Sequence, residues 1–499
     1  MPFTPPEVQL SGVAPEIALC VSALLLLIFD AFMADSIPSR LHLPVLSTAA
    51  LVVAAWLAID QWGAAELQLA GMVALDGFAI FVKVALIVFG LLTVWLGREY
   101  LMRAGLEEPE FYGLTLFVIA GMMLMASSAD LIVTFLALET FSIGLYVLVG
   151  LRVRSLVSQE AALKYFLLGS FSSAFFLLGI ALVYGATGTT NYYGETAPGG
   201  AEGIAHFIAT TPASELGFLA LATGLLIIGL GFKVAAVPFH LWTPDAYQGA
   251  PSPVTGFMAA ASKLAGFAAI LRLLEVVLFP LRWDWQPLVV GIAVATMVVG
   301  SVLAVVQEDV KRLLAYSSIA HAGFVLVGVV AANDGAVSGS LFYLATYGLT
   351  VLGAFAVVAV IGGLDEQRTR LVDYRGLFYE RPLVAAALTL FLLSLAGVPL
   401  TSGFVGKLLV FGAAVQEGYT ALVVVGALAS AIAAFFYLRV MVVMYMQEPD
   451  ETSAAARALP SAAGPTANAV IALTAVAALW FGILWGPLFR AAESATFFF

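Results

Sequence analysis

Apolar runs of about 20 residues recur along this chain from one end to the other, separated by short polar breaks. At 1.5 Å per residue a helix of that length spans the hydrocarbon core of a bilayer. The runs are continuous rather than alternating, which argues against strands. Of the 499 residues, 62% are hydrophobic and 11% charged, where soluble domains carry about 25% charged residues. The expected fold is an all-α polytopic membrane protein with about 14 transmembrane helices.

The same composition excludes several function classes. A net charge of −11, from 21 Lys and Arg against 32 Asp and Glu, argues against nucleic acid as a partner. The single cysteine, Cys20, leaves no intrachain disulfide and no Cys-based iron–sulfur or zinc site within the chain. His42, His206, His240 and His321 are too scattered for a metal cluster. The opening MPFTPPEVQLSG lacks a basic n-region, so no cleaved signal is expected. No phosphate-binding, nucleotide-binding or nucleophilic motif is present.

Fourteen spans are predicted, at 14–34, 42–60, 74–97, 112–128, 130–151, 160–186, 216–242, 252–275, 287–306, 313–331, 337–363, 383–414, 420–446 and 466–487. One set of connecting loops holds Arg40, Arg98, Arg103, Arg152, Arg154, Lys311, Arg312, Arg368, Arg370, Arg375, Arg381 and Arg457. The opposite set holds only Arg272, Arg282 and Arg490. This bias puts the basic loops in the cytoplasm and both termini in the periplasm. The loop 187–215 has no Lys or Arg and reads as a lumenal or periplasmic connection with little chemistry.

Spans 4–8 and 9–13 read as two copies of one five-helix unit. Phe232–His240 aligns with Leu393–Thr401 on Pro238 and Pro399. Ala261–Ala265 aligns with Ala429–Ala433, and Leu163–Leu167 with Leu341–Ala345. Five is odd, so the second copy enters the membrane from the other side, giving an inverted repeat. The chain divides accordingly into 1–111, 112–275, 287–446 and 466–499. Pro238 and Pro399 predict breaks in spans 7 and 12, tolerated where protein or water surrounds the freed carbonyls. Gly397, Gly403 and Gly406 are read as loosening the second break.

Five of the six lysines lie inside apolar stretches: Lys83, Lys164, Lys233, Lys263 and Lys407. Only Lys311 is assigned to a charged loop. A charged lysine at the bilayer centre costs about 2.5–3.5 kcal/mol, so retaining several points to ion or proton movement. Glu139 is near the middle of span 5 and is a candidate partner for a lysine. Lys233 precedes the Pro238 break and His240 follows it; a continuous helix would put both on one face. Lys263 is central in span 8, and Lys407 follows the Pro399 break. His321 lies mid-span beside Tyr316, Ser317 and Ser318, and histidine titrates near neutral pH. Lys164 is near the basic-loop end of span 6, where snorkelling is the competing reading. Lys83, Asp30 and Arg439, near span ends, read as structural.

The stretch FKVAAVPFHLWTPDAYQGAPSPVTGFMAAASK (232–263) resembles the proton-pumping, antiporter-like subunits of respiratory complex I, as do LLAYSSIAHAG (313–323) and AGVPLTSGFVGK (396–407). Within that family the wording is most similar to the N-type subunits of the bacterial enzyme, the counterparts of mitochondrial subunit 2. Lys407 separates it from the M-type, which usually carries glutamate there. No lateral helix of the L-type is visible after span 14. The resemblance implies that Glu139 and Lys233 form a modulating pair, and that Lys263, with His321 nearby, relays protons to Lys407. It implies no flavin, cluster or catalytic quinone site in this chain, because quinone reduction occurs in other subunits. The implied neighbours are an M-type subunit, small subunits K and J, the lateral helix of subunit L, and membrane lipid in a bacterial inner membrane. A multisubunit cation/proton antiporter shares fold and charges and is the alternative. A purely structural anchor would have no reason to bear the cost of the central charges.

Overall fold

The computed structural model describes residues 9–33, 40–106, 109–194, 203–212, 216–363, 366, 368–448 and 464–498. Arg457, counted above among the basic loops, lies outside them. The described chain is nearly all helical. In order come α1 (Ala14–Met33), α2 (His42–Asp60), α3 (Gly77–Ala104), α4 (Pro109–Ser127), α5 (Leu131–Val149), α6 (Leu156–Thr187), α7 (Ile204–Thr210), α8 (Gly217–Val234) and α9 (Trp242–Gly249). They are followed by α10 (Ser252–Val277), α11 (Arg282–Val305), α12 (Val310–Ala331), α13 (Asp334–Gly362), α14 (Pro382–Ala396), α15 (Ser402–Gln416), α16 (Thr420–Met446), α17 (Pro465–Ile483) and α18 (Gly486–Glu493). Among the described residues, 13 helices are long and apolar enough to cross a membrane. Two shorter apolar helices, α14 and α15, cover the predicted span 383–414. The protein is a multi-pass membrane protein.

One short antiparallel ribbon departs from the expectation of no strands: Glu66–Gln68 (β1) pairs with Val73–Leu75 (β2). It lies in the link between α2 and α3, outside the apolar runs that argued for helix. Helix starts are set by side-chain caps. Asp76 accepts from Ala79 N at 2.8 Å, Asp130 from Ile132 N at 2.7 Å and Asn333 from Ala336 N at 2.8 Å. Each satisfies an amide donor that a helix N-terminus leaves open.

Both predicted breaks are present, and they close in similar ways. α8 ends at Ala235, which takes a left-handed φ of 61°, and Ala236 N donates back to Gly231 O at 2.8 Å. α14 ends at Gly397, with φ 86°, and Val398 N donates to Leu393 O at 3.0 Å. The matching pairs are thus Ala235 with Gly397, one residue out of the register that aligned the prolines. At the first break the Trp242 indole donates to Phe232 O at 2.9 Å, a carbonyl that also accepts from Ala235 N at 3.1 Å. Carbonyls at the second are met by Lys407 Nζ, at 3.1 Å from Leu395 O and 3.0 Å from Ala396 O. Gly403 and Gly406 do not loosen this site. A side chain at Gly403 would meet the Ser394 carbonyl and one at Gly406 the Tyr343 ring, so both permit close approach.

α10, α12 and α13 form the centre. The most apolar window of α10 is buried completely, while α6, α16 and α17 expose most of theirs. Two buried ionic clusters fasten the ends of this core. At the ribbon end, Arg272 of α10 grips Asp76 bidentately, at 2.7 and 2.9 Å, and also donates to Ala126 O and Tyr193 Oη. Loop 187–215, expected to carry little chemistry, therefore contributes a buried tyrosine to this cluster. Tyr192 also reaches Thr134 Oγ1 at 2.8 Å. At the opposite end Lys311 is in no open loop: it sits in the first turn of α12, fully buried, 2.6 Å from Glu366 and 2.6 Å from Ala250 O. Arg152 lies 3.8 Å from the same carboxylate. Burial alone would push the Glu366 carboxyl up; the Lys311 and Arg152 charges outweigh it and hold it below the usual 4.5. Lys83 is likewise structural, paired with Glu16 at 2.7 Å, as Asp30 is with His42 at 2.9 Å.

Removing one partner of a buried pair leaves the other charge unpaired, at a cost of about 3–5 kcal/mol. Arg272→Ala is expected to lower the thermal midpoint of the protein in native membranes or detergent by that equivalent; an unchanged midpoint would show the cluster to be idle. Glu366 has a depressed value in the folded state, so its stabilisation is full above the unfolded value and fades as pH falls through the folded one. The stability gap between the unsubstituted protein and Glu366→Gln should be full near neutrality and shrink below pH 4.5. Unfolding measured across that range checks the sign.

Candidate functional site

Lys233 occupies the last turn of α8, two residues before the break. Its Nζ has no hydrogen-bond partner and is only 2% exposed with its residue. Four rings surround it: Phe141 at 5.3 Å, Tyr146 at 5.4 Å, Tyr165 at 5.5 Å and Phe232 at 5.6 Å. Trp242, just after the break, stacks on Tyr165 at 4.4 Å and so holds the box against the hinge. Ring faces attract a cation without fixing it as a carboxylate would.

Glu139 lies close enough to act electrostatically on both Lys233 and Tyr146. It does not form an ion pair with Lys233. Its Oε1 accepts a hydrogen bond from Ser173 Oγ instead. The pair suggested by the resemblance is therefore open in this structure, with Tyr146 beside both members. The Tyr165 hydroxyl is buried without a hydrogen-bond partner.

Lys263 follows a π-helical turn, Met258–Ser262, inside α10. Such wider turns shift the face that the next residues present and recur at functional sites. Lys263 Nζ donates to the Ser318 carbonyl of α12. Ser318 Oγ is 3.4 Å from Tyr247 Oη of α9. One turn along α12, His321 is held from both sides. Its Nδ1 lies 2.6 Å from Tyr343 Oη and its Nε2 3.2 Å from Tyr437 Oη. Tyr437 also bonds Ser317 Oγ. Lys263 and Lys407 both lie near enough to His321 to act on it electrostatically. Lys407 Nζ, besides its two carbonyls, reaches Ser430 Oγ at 3.2 Å and lies 4.7 Å above the Phe324 ring. None of these three lysines has a carboxylate in contact among the described residues.

Lys164 and His240 are placed differently from these residues. Lys164 is nearly half exposed and bonds Glu160 at 2.7 Å and Asp245 at 2.9 Å. Asp245 also takes Arg312 at 2.7 Å, so Lys164 ties α6 to α9 and α12 near the surface. His240 does not share a helix face with Lys233, because the helix breaks between them.

The residues that sequence reasoning missed are mostly aromatic: Tyr146, Tyr165, Trp242, Tyr343 and Tyr437. In an apolar run a tyrosine is indistinguishable from ordinary span filling. Glu275, in the last turn of α10, was also passed over; its Oε1 is buried and unpartnered. A carboxylate within a predicted span was the available signal. Among the described residues there is no group of three or more His, Cys, Asp or Glu able to hold a metal.

Residues 128–433, which include Glu139, Lys233, Lys263, His321 and Lys407, match the family described as NADH:quinone oxidoreductase/Mrp antiporter, TM. NADH-quinone oxidoreductase subunit N of Trichlorobacter lovleyi is 43% identical over 444 residues, covering 89% of this chain and 89% of that protein. The subunit N of Salinispora arenicola is 41% identical over 524 residues, covering 99% and 98%. A chain of respiratory complex I from Thermus thermophilus superposes with a TM-score of 0.78 at 34% identity, covering 97% of this chain and 100% of that one. A chain of the Mrp complex from Dietzia shares the fold, with a TM-score of 0.79 at 24% identity over 97% of this chain and 96% of that one. The chain belongs to the subunit N family of the NADH-quinone oxidoreductases.

Proposed function

We propose that this membrane subunit moves protons along the buried line Glu139, Lys233, Lys263, His321 and Lys407, driven by quinone reduction in other subunits of the same enzyme. The observation that carries the reading is Lys233: a buried amine with no hydrogen-bond partner, boxed by four rings, with a carboxylate nearby but not bonded. The charge of such an amine depends on how close Glu139 comes. Closing the pair would favour the ammonium; opening it would favour passing the proton on. Lys263 and Lys407 hold only neutral carbonyls and hydroxyls, which accept from an amine in either protonation state. His321, bracketed by two tyrosine hydroxyls, links the two lysines. His240 and Lys164 take secondary roles, the first at the hinge and the second at the surface tie to α9.

The wider reading rests on the family. The chain is a subunit of an enzyme complex and works beside other membrane subunits; we assign it no redox step of its own and no flavin, cluster or quinone site. Its neighbours in this reading are an M-type subunit, subunits K and J and the lateral helix of subunit L. Residues 1–111, 112–275, 287–446 and 466–499 form its four parts, and both termini face the periplasm of a bacterial inner membrane. Relatives at 41–43% identity over nearly the whole chain bear the name subunit N, which supports the redox-driven reading over the antiporter one.

Lys233→Ala, in the intact organism with assembly checked by native gel, is expected to lower NADH:quinone activity and proton pumping together by roughly tenfold, about 1.4 kcal/mol of barrier. An assembled complex with full activity and pumping would sink the central-lysine mechanism. Tyr437→Phe removes the hydroxyl shared by His321 and Ser317 while keeping the ring. It is expected to slow pumping severalfold in an assembled complex, and unimpaired pumping would take His321 out of the route.

A further inference from the structure

At the basic-loop end, the last turns of α16, the link before α12 and the turn after residue 369 enclose a cleft of about 460 Å³. Its walls carry three guanidinium groups, Arg370, Arg375 and Arg439, against one carboxylate, Glu308. The cleft is therefore net positive. Arg439 spends two donors on the carbonyls at the end of α11, Val305 O at 2.6 Å and Gln307 O at 2.7 Å. Arg375 donates to Gln447 Oε1 at 3.0 Å. Arg370 reaches Glu308 at 3.3 Å, with both side chains largely in the open. A guanidinium offers five N–H groups in a fork that fits phosphate oxygens, so Arg370 and Arg439 have donors to spare. Val372 and Val443 give the cleft an apolar floor.

The helix that supplies Arg439 carries a second surface. Arg439, Val443 and Gln447 face the cleft at helical spacing. Leu438, Val442 and Met446 each precede one of them and so point about 100° around the axis. They are exposed by 53%, 42% and 78%, and Phe435 and Leu428 extend the same apolar face away from the cleft. A cationic recess at the end of a span, continuous with an apolar strip running into the span, complements a headgroup and its chains. We propose that this cleft holds the phosphate of an anionic phospholipid whose acyl chains lie along the exposed face of α16.

The test uses the intact enzyme reconstituted in phosphatidylcholine vesicles. A small fraction of phosphatidylglycerol with a photoreactive group in its acyl chain is included, and the labelled peptides are mapped. Labelling of residues 420–446 is expected, stronger than with the phosphatidylcholine analogue and insensitive to millimolar inorganic phosphate. Arg370→Gln with Arg375→Gln should reduce it roughly tenfold. Glu308→Gln, which removes the opposing charge, should raise it. If the double variant does not assemble, Arg370→Gln alone, at an exposed position, should give a smaller loss in the same direction. Equal labelling by both lipids, or labelling untouched by these substitutions, means bulk lipid contact and overturns the proposal. Suppression by inorganic phosphate means a free-phosphate site and overturns the lipid assignment. No label on α16 from either lipid means another subunit covers this face, and the proposal fails.

Discussion

Backbone groups inside hydrocarbon have no water to bond, and every carbonyl that a broken helix releases must find a donor. Two of this protein's spans are broken near their middle, and the whole central arrangement follows from how those carbonyls are met. At the first break the donor is an indole, Trp242, which also stacks on one wall of the Lys233 box. At the second it is Nζ of Lys407. The structural need of the backbone and the placement of the charged groups are thus met by the same atoms. α10, α12 and α13 are buried enough for this to work, because water at their surfaces would compete for the same carbonyls.

The ends of the core are held differently from its middle. Asp76 with Arg272, and Glu366 with Lys311 and Arg152, are tight pairs with direct carboxylate contact. The three central lysines have none. Paired charges hold a structure and exchange protons reluctantly; a lysine held by ring faces and carbonyls can change state without leaving a carboxylate exposed in the interior. Burial is nearly the same for Lys311 and Lys263, at 0% and 2% exposure. The partner, not the depth, divides fastening residues from candidate carriers.

The architecture was legible from run length alone, since a helix spanning lipid needs about 20 apolar residues whatever its neighbours do. The two breaks were legible from Pro238 and Pro399. Their register was not: closure depends on which residue turns left-handed, and Ala235 carries no signal for that, whereas Gly397 does. Lys233, Lys263, Lys407 and His321 stood out because charge in an apolar run is costly. The rings around Lys233 and the tyrosines around His321 did not, because aromatic residues are welcome anywhere in such a run. Lys311 was misplaced for a related reason. Beside Arg312 and Asp309 it reads as part of a solvated loop, and only the return of Glu366 from more than fifty residues away buries it.

Lys407 ties α14 to α15 through the carbonyls of Leu395 and Ala396. An ammonium holds two carbonyl dipoles more strongly than a neutral amine does. In the proposed route, release of a proton by this side chain would slacken the joint between the two half-helices, and uptake would stiffen it. The position of α15 against α13 and α17 would then report one proton to any neighbour that touches those helices.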